Sequence, residues 1–190
     1  AEQVETACGE QLPIVFSSRH GDMHKTLGLL TDLANKNPLS PTAFGLSVHN
    51  AVPSFYSILT DNKQSVNAIS ADKDSLFMAL VDCYAKLKSG LVQKVLLVHA
   101  DQELPDSYLS FADERQISHA LAMVVSLKDT DVGSDDGRVI SLDMPSDCNA
   151  AVDELPAALS FIQWLGSDHS QFSYSTKQFT WNLSKNATSN

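Results

Sequence analysis

The hydrophobic positions of this chain change period several times, and each change marks an element. Residues 12–17 (LPIVFS) form a short apolar run rich in branched side chains, the signature of a strand buried on both faces. The polar turn Ser18-Arg19-His20-Gly21-Asp22 stops it. From Met23 the apolar residues Met23, Leu27, Leu30 and Leu33 recur at helical spacing as far as Lys36, with Asp22 in the N-cap position. Pro38 and Pro41 then break the chain, because each disfavours helix in the residue before it. A second helix is predicted over residues 48–59, with Pro53 near enough to its start to cost little. A short strand at 66–70 precedes a helix at 75–89 that turns Leu76, Ala79, Leu80, Cys83 and Leu87 inward and stops at Gly90. Residues 94–99 (KVLLVH) read as another fully buried strand.

Strand, helix, helix, strand, helix, strand is the alternation that yields right-handed crossovers and a largely parallel sheet. The later chain changes texture. After a loop over 101–111, residues 119–127 and 138–144 are predicted as strands. The Asp-, Gly- and Ser-rich stretch 128–137 between them suits a hairpin loop. Residues 153–166 read as an amphipathic helix with Leu155, Leu159, Ile162 and Leu165 on one stripe. Residues 178–183 read as a closing edge strand, and 186–190 as a frayed tail. The expected fold is a single α/β domain over 1–190 with a mixed, mostly parallel sheet.

Composition narrows the function classes. Thirteen Lys and Arg against 23 Asp and Glu give a formal charge of −10, so the basic footprint of a nucleic-acid binder is missing. No apolar run approaches the ~20 residues of a membrane span, and no basic-then-apolar leader opens the chain. A cytoplasmic location is expected. Cys8, Cys83 and Cys148 are too few and scattered for a disulfide framework or a zinc cage. Cys83 falls on an apolar helix stripe, where cysteine acts as a small hydrophobe.

His20 and His24 stand four apart, but the helix is predicted to begin after His20, and no nearby His or Cys completes a metal site. Ser17, His20 and Asp22 spell a nucleophilic set without the Gly-x-Ser-x-Gly elbow that would expose the serine. The eight glycines form no phosphate cradle between strand and helix. No cofactor and no metal is expected.

Three stretches carry a family pattern: residues 13–22 (PIVFSSRHGD), 39–51 (LSPTAFGLSVHNA) and 94–101 (KVLLVHAD). Together they resemble the N-terminal, β-ketoacyl-synthase-like domain of bacterial chain-length-factor proteins, which accompany type II polyketide-like clusters, including those making aryl polyene pigments. The resemblance extends to about Met144. It implies a thiolase-like fold truncated relative to a full ketosynthase, in which active members use a cysteine and two histidines. The turn Ser70-Ala71-Asp72-Lys73-Asp74-Ser75 occupies the place of their Thr-Ala-Cys-Ser-Ser-Gly elbow, so Lys73 stands where the cysteine would. A lysine amine there does not form the thioester that loads a growing chain. His-Gly-Thr and the Gly-rich Asn-x-Phe-Gly-Phe-Gly motif are absent from the sequence. The chain opens Ala-Glu-Gln, without methionine, and family members carry a further N-terminal segment, so the start is expected to be incomplete.

By that resemblance the protein is a non-catalytic subunit that pairs with an active β-ketoacyl-ACP synthase, stabilises it and shapes its acyl tunnel in polyketide, aryl polyene or fatty-acid-like elongation. Phe44, Leu46, His49, Asn50 and Phe55 are the implied tunnel and interface residues. Phe44 would wall the far end of the partner's tunnel, since an overfilled packed pocket is costly. Phe55 and Tyr56 suit a core as well as an interface. Acyl carrier protein would be met through the complex, on a basic patch of the partner, because like charges repel. Two other classes fit the residues: a small hydrolase or acyltransferase using Ser17, Ser18 or Ser70 with a histidine, and a stand-alone binding module.

Overall fold

Two faces of one four-stranded sheet are covered very unequally, and this difference organises the molecule. The computed structural model describes residues 10–128, 139–143, 146–147 and 151–185. Cys8, Cys148, the stretch 129–138 and the tail from 186 lie outside them. The central strand β1 (Ile14–Ser17) is buried along its whole length. It lies parallel to β2 (Val66–Ile69) on one side and to β3 (Lys94–Asp101) on the other, with Ile14 opposite both Val66 and Leu96. β4 (His119–Ser126) closes the sheet antiparallel to β3, giving the order β2-β1-β3-β4. The expected mixed, mostly parallel α/β architecture is therefore present.

Alternation along the strands sends Val15, Val95 and Leu97 to one face and Ile14 and Leu96 to the other. Helix α4 (Ser75–Lys88) packs on the first face, burying Leu76, Ala79, Cys83 and Leu87 as the sequence pattern required, with Leu80 half-buried. Gly90, at φ +74°, ends this segment in the left-handed region that favours glycine. That face is completed by α5 (Ala157–Leu165) and a second, antiparallel sheet. In it β8 (Phe179–Lys185) pairs with β7 (Gln171–Ser175) on one side and with β5 (Ile140–Leu142) and β6 (Ser146–Asp147) on the other. Phe161, Trp164, Tyr174, Trp181 and Leu183 fill the space between.

The opposite face carries α1 (Met23–Ala34), α2 (Pro41–Ser47) and α3 (Ala51–Leu59). None of the residues of α1 or α2 is buried, and in α3 only Pro53 is. Asp22 caps α1 by accepting from the Lys25 amide, as expected.

Several local expectations are corrected. The helix predicted over 48–59 begins at Ala51, and a separate helix that was not predicted, Pro41–Ser47, precedes it, because Ser40 caps Ala43 and Pro41 takes the first helical position, where its missing N–H costs nothing; Val48 is extended and separates the two. The first helix stops at Ala34, and Lys36 turns left-handed at φ 59°. The 101–111 loop is strand at Asp101 and a 3₁₀ turn over Asp106–Phe111. β4 pairs with β3 and β5 with β8, so no hairpin joins the two predicted strands among the described residues. β8 is central in its sheet, and β7 is a strand that periodicity over so short a stretch did not single out. Pro156 starts α5 four residues late, and its inward stripe is Ala157, Ala158, Phe161 and Trp164. Phe161 and Trp164 set the inward face because their large rings pack on one another and on Phe172.

Candidate functional site

β2 passes into α4 through a tight elbow, with Asp72 at φ 51° and each charged side chain of the turn committed to a different neighbour. Lys73 is 5% exposed, and its Nζ donates to the carbonyls of Asp113 and Asp153, both at 2.9 Å. Asp74, equally buried, accepts from the Trp181 indole at 2.6 Å and the Thr176 hydroxyl at 3.2 Å. Asp72 pairs with Arg19 at 2.5 Å, and Arg19 also reaches Asp113 at 2.8 Å and Glu114 at 3.0 Å. Burial alone would lower the Arg19 pKa, but Glu114, Asp113 and Asp72 outweigh it and hold the guanidinium firmly charged. The elbow is thus a lock: three charges tie the sheet, the 113–114 loop and the second sheet together.

Beside it, the carboxyl ends of β1 and β3 form the crevice where open α/β sheets place their ligands. Ser17, His99 and Asp101 face it from the α4 side. Ser17 Oγ lies 2.8 Å from His99 Nδ1, and His99 Nε2 lies 3.2 Å from Asp101 Oδ2. Asp101 also accepts from the Ser18 hydroxyl and from the amides of Arg19 and His20. Burial opposes ionisation of Asp101, yet these bonds, led by that from His99, hold its carboxyl well below the usual carboxylate range. The His20 imidazole is lowered by burial and by the neighbouring Arg19 charge.

A Ser-His-Asp chain therefore exists, although not the one spelled by Ser17, His20 and Asp22. Ser17 is 0% exposed, so a substrate carbonyl has no approach to its oxygen. Ser18 is spent on Asp101 and on the Gly21 amide, and Ser70 donates to the Arg19 carbonyl. Cys83 is buried, and burial pushes its thiol up to about 12, the opposite of an activated nucleophile. His24 Nε2 donates to the Glu103 carbonyl, so that nitrogen offers no lone pair to a metal.

On the other face, Phe44 is 59% exposed and Phe55 53%, with Leu46 and Asn50 exposed beside them. Tyr56 packs inward against the smaller cluster of Leu12, Ile14 and Leu96. His49 differs from the other four interface candidates. Its Nε2 donates to the Ile69 carbonyl, its ring meets Phe16, and a Cβ on Gly21 would come 3.3 Å from its Nδ1, so it anchors α3 to the sheet. Arg19, Asp101 and His119 were not singled out from sequence. A His-x-Asp at a strand end was the available signal, but its partners lie some 80 residues away and meet only through strand register.

Comparison with known proteins gives two findings. Residues 1–184 match the family model described as β-ketoacyl synthase, N-terminal domain. Among solved structures, the chain is similar to a ketosynthase (ApeO) in complex with its chain length factor (ApeC) from Xenorhabdus doucetiae. The TM-score is 0.79 at 24% identity, covering 95% of this chain and 72% of that chain, a likeness of fold. No curated protein sequence matches.

Proposed function

Since the chain belongs to the β-ketoacyl synthase N-terminal domain family, we propose that it is a non-catalytic subunit of the chain-length-factor kind, pairing with an active β-ketoacyl-ACP synthase. The observation that carries this reading is the apolar surface of α1–α3. Leu33, Phe44, Val52, Phe55, Ile58 and Leu59 are all more than half exposed, whereas isolated soluble proteins keep such patches small. An obligate interface resembles a bisected core, and these side chains are of that kind. Phe44 then presents its ring to the partner's acyl tunnel and limits chain length by exclusion. The elbow supports the same reading from the other side. Lys73, in the place of the family's nucleophile, is held by two carbonyls and offers no thiolate.

Assembly in polyketide, aryl polyene or fatty-acid-like elongation, with acyl carrier protein met on the partner, follows from the subunit role. The hydrolase alternative is left with two buried serines and with Ser70, whose hydroxyl is bonded to the Arg19 carbonyl. Co-expression tests the proposal: alone the chain should self-associate, and with its ketosynthase it should elute as a stoichiometric heterodimer. Phe44→Ala should lengthen the product without changing the amount of complex. A monodisperse monomer that binds no ketosynthase would overturn the reading.

A further inference from the structure

Three side chains in the crevice share one face of two paired strands. His99 and Asp101 are two apart on β3, and His119 on β4 lies directly opposite Asp101 in the antiparallel register. His99, Asp101 and His119 each offer one ligand atom, a ring nitrogen or a carboxylate oxygen, and these atoms all lie within 4.8 Å of one another. The two imidazoles stack with centroids 5.5 Å apart and planes at 28°.

The hydrogen bonds around them fix which atoms are free. His119 Nδ1 lies 2.7 Å from the Ile117 carbonyl, which can only accept, so Nδ1 carries the proton and Nε2 keeps its lone pair. That Nε2 is buried and has no hydrogen-bond partner. A buried acceptor without a partner is unfavourable, and a ring oriented by a carbonyl on its far nitrogen is the usual outer support of a metal-binding histidine. Asp101 is aimed by the Ser18 hydroxyl and the Arg19 and His20 amides, which fix the carboxylate and leave Oδ2 toward His99. Ser17 completes the set. Its hydroxyl donates to His99 Nδ1 when Nε2–H points at Asp101; turned around, it accepts from Nδ1–H and frees Nε2 as a ligand.

We propose that His99, Asp101 and His119 bind one divalent first-row transition metal of the zinc class, with Ser17 and the Ile117 carbonyl setting the two imidazole tautomers. Two histidines and a carboxylate suit such an ion. Bonds of ~2.0–2.2 Å space tetrahedral ligands about 3.3–3.6 Å apart, so the three atoms close on the ion by small side-chain rotations. The crevice beyond them is lined by Arg19, Lys73, Asp72 and Glu114. Arg19 is neutralised by Asp72 and Glu114 and Lys73 is turned to carbonyls, so neither cation opposes the ion directly. The inference is independent of the subunit role.

The test is titration of the full chain, stripped with EDTA, with Zn²⁺ by calorimetry and with Co²⁺ by visible absorption. One equivalent should bind, with a melting temperature raised by several degrees in excess metal. The Co²⁺ spectrum should show ligand-field bands and no thiolate charge-transfer band. His119→Ala and His119→Gln should weaken binding at least 100-fold and Ser17→Ala about 10-fold, while His169→Ala should leave it unchanged. Failure of one-to-one binding, a thiolate band, or unaltered affinity in both His119 variants would overturn the proposal and identify the free Nε2 as a water site.

Discussion

Asp74 is the turn residue whose removal should cost most. Its carboxylate is buried, accepts the Trp181 indole N–H at 2.6 Å, and shares the Thr176 hydroxyl, at 3.2 Å, with the Phe179 carbonyl. The short indole bond is charge-assisted and contributes about 1.5–3 kcal/mol, while the divided hydroxyl bond contributes at the low end for neutral donors. In Asp74→Ala the indole N–H stays sealed in the core with no acceptor, at a further penalty of ~1–3 kcal/mol. The sum is about 3–6.5 kcal/mol. Asp74→Asn keeps one acceptor oxygen and sheds the cost of burying a charge, so it should lose only ~1–2 kcal/mol. For a chain of this length ~1 kcal/mol moves the melting temperature by about 2–4 °C, which places Asp74→Ala roughly 6–26 °C below the parent. Urea unfolding followed by tryptophan fluorescence measures each loss, and a double-mutant cycle with Trp181→Phe isolates the pair, with an expected coupling of at least ~1.5 kcal/mol. Asp74→Ala within ~1 kcal/mol of the parent, or a coupling near zero, would refute the view that the charged elbow fastens the second sheet.

Other expectations follow from the same geometry. Phe44→Ser and Phe55→Ser should change unfolding free energy by no more than ~0.5 kcal/mol, as surface changes do, while sharply reducing self-association in sedimentation velocity; equal loss of stability would mean that these rings are core. Native Cys83 should resist a chromogenic disulfide reagent at pH 8 and react after denaturation, because its thiol is buried and pushed up to about 12; mass spectrometry after quenching assigns the site. Burial would raise the Asp113 pKa, but hydrogen bonds from Arg19 and Lys177 prevail and depress it. A carboxyl lowered on folding stabilises the protein above its unfolded value of ~3.9 and loses that contribution as pH falls through the folded value. Asp113→Asn should flatten the acid limb of a stability–pH curve below about pH 4, by an amount that shrinks with salt because Asp113 is partly solvated.

How much could be read in advance depended on whether a residue's environment is local. β1, β3 and α4 were legible because their apolar runs are buried by neighbours that the βαβ alternation itself supplies. Asp22 and Gly90 acted as local caps and were equally plain. β7, by contrast, is held by pairing with β8 and by stacking of Phe172 on Tyr174, and its five residues give alternation too little room to stand out. The inward stripe of α5 follows Phe161 and Trp164, whose rings pack on Phe172, and not the leucine spacing. The crevice was legible only as a polar turn: Arg19 is visible at residue 19, but Asp72 reaches it from the elbow and Asp113 and Glu114 from a second loop.

The unequal covering of the sheet joins these points. A sheet face left without a layer must find one, and on the α4 side the chain supplies it, with Phe77, Phe161, Trp164 and Trp181 in one continuous cluster. On the other side the buried set is only Leu12, Ile14 and Leu96, with half-buried neighbours. The helices that overlie it spend their apolar residues outward. Had α1 and α2 evolved to face water, Leu33, Phe44 and Leu46 would cost nothing as polar residues, since helix propensity does not demand apolar side chains at exposed positions. Their presence on adjoining helices is what the proposed subunit role requires, with the remaining layer supplied by a second protein. The two faces then have separate mutational signatures: elbow changes should appear in the unfolding of the chain itself, and α2–α3 changes only in what it assembles with.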